Sequence, residues 1–541
     1  MKSKPSDNKK KTSDKKKQIL SDYARLAESL DRPVTMGDMI DAGHSKDSVA
    51  HHFRSLTRLD GLARDKFPGK FSDVSVKALL GPKALSRLQG AVVNYNRFVI
   101  TTAVTGCDLQ SDFYASIRTY CSTNNAILLI LVQSDPAHNR KNGDLGFIDK
   151  RLVNEHIVVA DTALNSNLYI STIKLSAKHI DPITGLGRIG QRNGSFIYAS
   201  PKQRLKPVPV SNSKAPHFLM TTGAITKPNY TTDNYMSERT AYIAEHDHVV
   251  GALVVEIEDD EVYHFRQIQA DERGNFIDLG KQYRPNCVMD EQPEAFIMGD
   301  WHSGEVDPSA AQAWYEVMAA LKPKRLVIHD LFNGLSINHH EEDKNILKAQ
   351  RANREELNLL KEMSSVASDL DEMADYVEQI VVVKSNHDEF LERYLQEGNY
   401  VKDPQNHRFA LDLATAMMDG FDPLKHGVEI VGLANTNKVI WLKRDEDFKI
   451  ARIQLGAHGD RGANGARGSL PAMEAAYGNS VTGHSHVPEI LRGAWAVGTS
   501  TYLKLTYNVG PSSWFHSSIL VYANGERQII NSIGGKWRLT A

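Results

Sequence analysis

Five short segments in the second half of the chain combine aspartate, asparagine and histidine, and four of them directly end an apolar run. They read Gly299-Asp300-Trp301-His302, His329-Asp330-Leu331-Phe332-Asn333, Ser385-Asn386-His387-Asp388, Ala457-His458-Gly459-Asp460 and Gly483-His484-Ser485-His486. Ala295 to Met298 precede Asp300, Leu326 to Ile328 precede Asp330, Val381 to Val383 precede Asn386, and Ile453 and Leu455 precede His458. Each run reads as a buried strand with its polar residues just past the carboxyl end. In α/β layers that edge is where ligand sites are built, so several strand ends can surround one point without long loops.

The residue types suit a pair of divalent ions. Two such ions about 3.5–4 Å apart repel, so a bridging carboxylate is required, and Asp330 is the natural bridge. Imidazole and carboxylate together suit Mn, Fe, Zn or Co better than Mg or Ca, which prefer all-oxygen shells. Ions held this way lower the pKa of a shared water and clamp phosphate oxygens. A departing alkoxide then needs an acid, and His387, beside Asn386, can donate that proton. Asp388 is expected to hold the imidazole in position. A lone His-x-His or Asn-His-Asp means little; five such segments in this order point to a metal-dependent phosphoesterase.

At 541 residues the chain exceeds one ordinary core, so several domains are expected. No apolar run approaches the roughly 20 residues that span a bilayer, so no membrane partner is expected. Three cysteines (Cys107, Cys121, Cys287) are too few and scattered for a disulfide framework, which fits a reducing cytoplasm. The net charge of -2 carries no global signal for nucleic acid. Residues 1–20, however, hold eight lysines and two aspartates and read as a disordered tail able to meet phosphate backbones.

Three further segments are drawn. Residues 21–86 read as a small helical domain. Thr35 through Ile40 looks like a capped helix, Asp41 to His44 a turn, and Ser45 the cap of a second helix through Val49, Phe53 and Leu56. This is the helix-turn-helix pattern, with Lys46, Ser48, His51, His52 and Arg54 facing outward towards a DNA groove. A plain packing hairpin is the alternative. Residues 90–285 read as a central α/β domain. Its strands are expected at Phe98 to Val104 and Ala126 to Gln133, its helix at Ser111 to Tyr120, and paired strands at Val249 to Ile257 and Glu261 to Gln269. A hairpin signal sits at Asp271 to Asn275. Gly185, Gly187 and Gly190 space as G-x-G-x-x-G but follow no strand and read as a loop. Residues 291–541 carry the metal motifs. A polar helix between His339 and Tyr376 is expected to bury Leu357, Leu360 and Met363.

The order Asp-x-His, Asp, Asn-His-Asp, His, Gly-His-x-His resembles the calcineurin-like metallophosphoesterase superfamily over about the last 250 residues. The resemblance implies a two-layer-sheet α/β/β/α domain. It implies that Asp300, His302 and His486 hold one ion, that Asn386, His458 and His484 hold the other, and that Asp330 is shared, with manganese the leading metal. His387 matches the family's acid. Two positions depart: His329 and Ser385 stand where the family usually has glycine, and His329 could serve as a further ligand or as a partner behind one. The glycine-rich stretch His458 to Ser469, with Gly498-Thr499-Ser500 and Gly510 to Trp514, looks like large-phage relatives of the DNA-repair nuclease branch. Arg461 and Arg467 there could pair with phosphate. The same resemblance implies a homo-oligomer and, for a phage-encoded chain, degradation of host DNA in the cytoplasm of the infected bacterium. DNA hydrolysis is the leading expectation. Phosphatase or phosphodiesterase activity on nucleotides or phosphoproteins is the alternative. A DNA-binding regulator with a structural metal site is the third reading.

Overall fold

The computed structural model describes residues 5–30, 34–67, 70–71, 73–133, 146–176, 179–211, 216–230, 238–505 and 507–539. The chain is a mixed α/β protein with several sheets. One has six strands in the order Val439–Trp441, Gln379–Val382, Arg325–Ile328, Ala295–Ile297, Ser517–Val521, Arg527–Asn531. Its first four strands are parallel and its last two antiparallel. Strand side chains alternate between faces, and both faces here are apolar. Phe296, Leu326, Ile328, Ile380 and Val382 meet a helical layer that includes Trp314, Leu370 and Leu413. Ile297, Val327 and Val381 face the other way, onto Val481, Ile490 and Trp495 of a second sheet.

That second sheet crosses the boundary expected between residues 285 and 291. Its ten strands run Lys449–Ile450, Ile453–Gln454, Ser480–Thr482, Ala494–Ala496, Glu489–Leu491, Arg204–Val208, His217–Thr221, Ser195–Tyr198, Leu168–Ser171, Thr162–Asn165. The joint is the antiparallel pairing of Ile490 with Leu205 and of Leu491 with Arg204. Buried Arg204 secures it by donating to the Ile490 carbonyl (2.6 Å) and to Glu489 (2.7 Å). A five-stranded sheet, Tyr263–Gln269, Gly251–Ile257, Arg97–Val104, Ile127–Gln133, His156–Ile157, packs on the same core through Phe98, Ile100, Leu129 and Phe265. Its opposite face, through Val99, Leu128 and Ile130, meets Phe113, Ile117 and Tyr120 of the helix Ser111–Asn124. The central segment is therefore built into the same sheet as the metal-motif segment rather than standing beside it.

Several local expectations change. Residues 5–29 form one helix where a disordered tail to Leu20 was expected, because Ile19, Leu20, Tyr23 and Ala24 are buried against Met39, Val49, Phe53 and Leu59. Residues 1–4 of that tail lie outside the described residues. The helix Met36–Asp41 has Thr35 as N-cap with a reciprocal Asp38, and Lys46–Phe53 is capped by Ser45. The second helix stops at Arg54, whose φ is +68°, so Leu56 starts a new helix, Leu56–Lys66. Asp271 to Asn275 is a turn, but the strands flanking it lie in different sheets. Gly187 to Asn193 is a short helix; Gly190 packs on Leu219, where a Cβ would come within 3.0 Å. In the helix Leu359–Ala374 the buried stripe is Leu359, Met363, Val366, Leu370 and Met373, and Leu360 is exposed.

Residues 291–541 expressed alone would leave the Glu489–Leu491 strand as an open apolar edge. That fragment is expected to aggregate, while the full chain stays soluble. A monodisperse fragment with cooperative thermal unfolding would contradict the shared-sheet architecture.

Candidate metal centre

All five ligand-bearing segments follow strand ends. Ala295–Ile297 leads to Asp300 and His302, Arg325–Ile328 to Asp330, and Gln379–Val382 to Asn386. Ile453–Gln454 leads to His458, and Ser480–Thr482 to His484 and His486. The last strand was not visible in the sequence because Val481 alone marks it. Three strands belong to one sheet and two to the other, so the site forms where the two sheets meet.

The loops are locked together by backbone bonds. His302 N–H donates to the Asp330 carbonyl (2.7 Å), Gly483 N–H to that of His458 (2.8 Å), and Asp300 N–H to that of Gly498 (3.2 Å). Four ligand positions adopt left-handed backbone: His302 (φ +50°), Asp330 (+46°), His484 (+69°) and His486 (+57°). Such strain persists in non-glycine residues only where the surroundings over-determine it. Gly483 is required by closeness, since a Cβ there would lie 2.2 Å from Asp300 Oδ1 and 2.8 Å from His329 Cβ.

The side chains converge in two groups that share Asp330. Asp300, His302, Asp330 and His486 form one, and Asp330, His458 and His484 the other, each with its candidate ligand atoms within 4.8 Å of one another. His302 Nε2 lies 3.1 Å from His486 Nε2 and 3.5 Å from Asp330 Oδ2. His486 Nε2 lies 3.3 Å from Asp300 Oδ2, and His458 Nε2 lies 3.2 Å from Asp330 Oδ2. Asn386 Oδ1 joins the second group, 3.1 Å from both His458 Nε2 and His484 Nδ1. The structure thus brings together all seven residues expected as ligands.

The electrostatics suit cations. Asp300 is fully buried, and neither carboxylate oxygen has a hydrogen-bond partner; Asp330 Oδ1 is also buried and unpaired. Burial, reinforced by Asp330 opposite, pushes the Asp300 carboxyl well up. Burial also works to raise Asp330, but the imidazoles of His458, His387 and His302 outweigh it and hold that carboxyl low. Burial drives His302 and His329 down to about 3 and lowers His484 and His486, so these rings are neutral, as ligation requires. His458 is opposed by burial but raised to about 9 by Asp330 beside it. Buried carboxyl oxygens without hydrogen-bond partners, among ligand imidazoles of which all but His458 are held down by burial, fit divalent ions.

His387 is half-buried, its ring 4.5 Å from that of His302. Its Nδ1 lies 2.7 Å from the Asn333 carbonyl oxygen and donates to it. This corrects the role expected for Asp388. That carboxylate turns back to accept the Ser385 N–H (2.8 Å), while its own N–H donates to Ser385 Oγ (3.3 Å), closing the strand-to-helix turn. Burial raises Asp388 to about 6, with Lys384 working against it. Asn333 stands in its place, and its Oδ1 also accepts from His302 Nδ1 (3.2 Å), which turns His302 Nε2 towards the centre. Asn333 closes the second motif, yet its role depends on a turn that spacing does not reveal. His329 is buried, with Nδ1 3.5 Å from His458 Nδ1, behind that ligand.

Arg461 is engaged by Glu389 at 2.6 Å, which favours the salt-bridged loop over a free phosphate contact. Arg467 is exposed across a backbone bridge from it. In the N-terminal helices Lys46, His51 and Arg54 are exposed and His52 is half-buried. Burial lowers His52, as do the neighbouring His51, Lys15 and Lys16, so Lys15 and Lys16 of the first helix lie close to it.

Fold and site together define an α/β protein with a buried Asp/His cluster able to hold metal ions. Protein A1 of Escherichia phage T5 is 28% identical to the chain over 474 residues, covering 83% of this chain and 84% of that protein. That span is longer than segment 291–541, so the likeness includes earlier segments. No family model matches the chain, and no solved structure matches it. Among the described residues, no helix is long and apolar enough to cross a membrane.

Asp330→Asn is expected to lose both ions, whereas His484→Ala should keep one. Metal content of dialysed protein, counted by mass spectrometry, checks this. Equal metal content in the two variants would contradict the sharing of Asp330.

Proposed function

We propose that the chain is a two-metal phosphodiesterase that hydrolyses DNA, a phage-encoded nuclease of the calcineurin-like metallophosphoesterase kind. The observation that carries this reading is Asp330, shared by two ligand groups, with the His387 ring against one of them. The two layered sheets with helices outside agree with the α/β/β/α arrangement of that superfamily. Likeness to a bacteriophage protein over most of both chains supports a phage setting, and degradation of host DNA is the role that fits it.

Divalent ions at this centre, where the mixed donor set suits Mn, Fe, Zn or Co, would supply an activated water and charge to hold phosphate oxygens. The chain's own residues do the rest. Asp300, His302 and His486 hold one position, Asn386, His458 and His484 the other, and Asp330 sits between them. Asn333 accepts the Nδ1 proton of His387, so His387 donates from Nε2 as an imidazolium and relaxes to the neutral tautomer that Asn333 already holds. That proton goes to the oxygen leaving phosphorus. Left-handed ligand backbones and the tight Gly483 contact keep the donors in place before substrate arrives.

DNA is favoured over a nucleotide or phosphoprotein by Lys15 and Lys16 beside His51 and His52, and by exposed Lys46 and Arg54, on helices that pack together. The direct test is Mn²⁺-dependent cleavage of linear and closed-circular DNA. Hydrolysis of small phosphoesters with no DNA cleavage would move the substrate to the alternative class.

His387→Ala is expected to keep both ions but lose about a hundred- to ten-thousand-fold in DNA cleavage, and much less on a nitrophenyl ester, whose leaving group needs no acid. Equal loss on both substrates would remove His387 from the acid role. Replacing Lys46 and Arg54 together by glutamate should weaken DNA affinity and lower the salt slope by roughly 0.9 for each phosphate no longer neutralised, with nitrophenyl ester hydrolysis unchanged. An unaltered salt dependence would exclude these helices from the DNA interface.

A further inference from the structure

A cavity of about 210 Å³ lies between the segment that follows the second metal motif and the helix that follows the third, with Phe390 between it and His387. Its wall nearest the metal centre is Phe390, on the helix Asp388–Gln396. The Phe390 ring lies 4.8 Å from that of His387 and meets His339 edge-on at 4.7 Å. Gly334 backs the ring; a Cβ there would come within 3.0 Å of it. Phe390 is half-buried, so part of the ring remains open.

The rest of the wall carries three bases and three acids among apolar side chains. Lys348, Arg393 and Lys402 line it, and Arg393 donates to His339 Nε2 at 2.7 Å. Two of its acids are already engaged: Glu341 is paired with Arg351, and Asp403 accepts from the Tyr394 hydroxyl and from Asn406. Arg393 in turn lies 3.8 Å from Glu397, so among the described residues Lys348 and Lys402 are the lining cations without an ion pair. Ring faces beside cationic side chains are what binds a base and its phosphate without regard to sequence.

Position supplies the direction. His387 gives its proton to the leaving oxygen, so the expelled fragment lies on the His387 side, and Phe390 is the ring shared by His387 and this cavity. We infer that the cavity is the subsite for the nucleotide on the leaving side of the scissile bond, with its base against Phe390 and His339 and its next phosphate towards Lys348, Arg393 and Lys402. This rests on the nuclease reading above, and its failure is distinguishable from the failure of that reading.

The test uses the full-length protein with Mn²⁺ and single-stranded oligonucleotides that carry one abasic residue, with cleavage mapped at nucleotide resolution. An abasic residue on the leaving side of a bond is expected to slow cleavage there by about tenfold, the scale of one base stacked on one aromatic ring. Phe390→Ala should slow the intact strand by a similar factor and add nothing on the abasic strand, since both remove the same interaction. Phe390→Tyr should restore the wild-type rate. An abasic residue without effect on the leaving side, or a Phe390→Ala loss of equal size on both strands, would overturn the inference while the nuclease reading stands. Wild-type protein that cleaves linear or closed-circular DNA but no oligonucleotide would overturn the inference alone; protein that cleaves none of them would refute the nuclease reading, and the subsite with it.

Discussion

Two carboxyl groups, Asp300 and Asp330, are buried together where the six-stranded and ten-stranded sheets meet. Burying one ionised group costs on the order of several kcal/mol even after relaxation, and a second of the same sign adds repulsion. The imidazoles of His458, His387 and His302 offset this at Asp330 and hold it low, with His458 itself raised in return, whereas burial and Asp330 push Asp300 well up. Cations from solution would let both carboxyls ionise, and the geometry divides the donors into two groups around Asp330. Burial, charge and donor chemistry therefore point the same way.

Much of the architecture serves that convergence. Strand ends from two sheets reach one point only because the sheets pack face to face through Ile297, Val327, Val381, Val481 and Trp495. The second sheet is completed by strands from residues 162–221, so the central segment buttresses the ligand loops instead of merely preceding them. Left-handed backbone at four ligands costs roughly 1–3 kcal/mol each, and the network between loops holds it. Asn333 links the two halves of the chemistry, orienting the ligand His302 with its side chain and His387 with its carbonyl.

The site was far more legible in the sequence than the fold around it. Apolar runs ending in Asp, Asn or His mark both a strand and its carboxyl edge, so the seven converging residues could be named in advance. Relations across the fold left no such trace. The pairing of Glu489–Leu491 with Arg204–Val208 joins residues nearly three hundred positions apart, and neither strand shows which neighbour it takes. Asp388 was expected to orient His387 because the two adjoin in sequence. A helix N-terminus instead turns that carboxylate onto its own backbone and leaves the task to Asn333. The lysine-rich start looked disordered by composition, yet Ile19, Leu20, Tyr23 and Ala24 supply the apolar stripe that docks its helix.

Anomalous diffraction at the manganese edge, from crystals of the full chain grown with Mn²⁺, tests the shared-carboxylate centre most directly. Two peaks about 3.5–4 Å apart, with Asp330 between them, are expected. A single peak, or peaks that Asp330 does not bridge, would contradict a two-metal site.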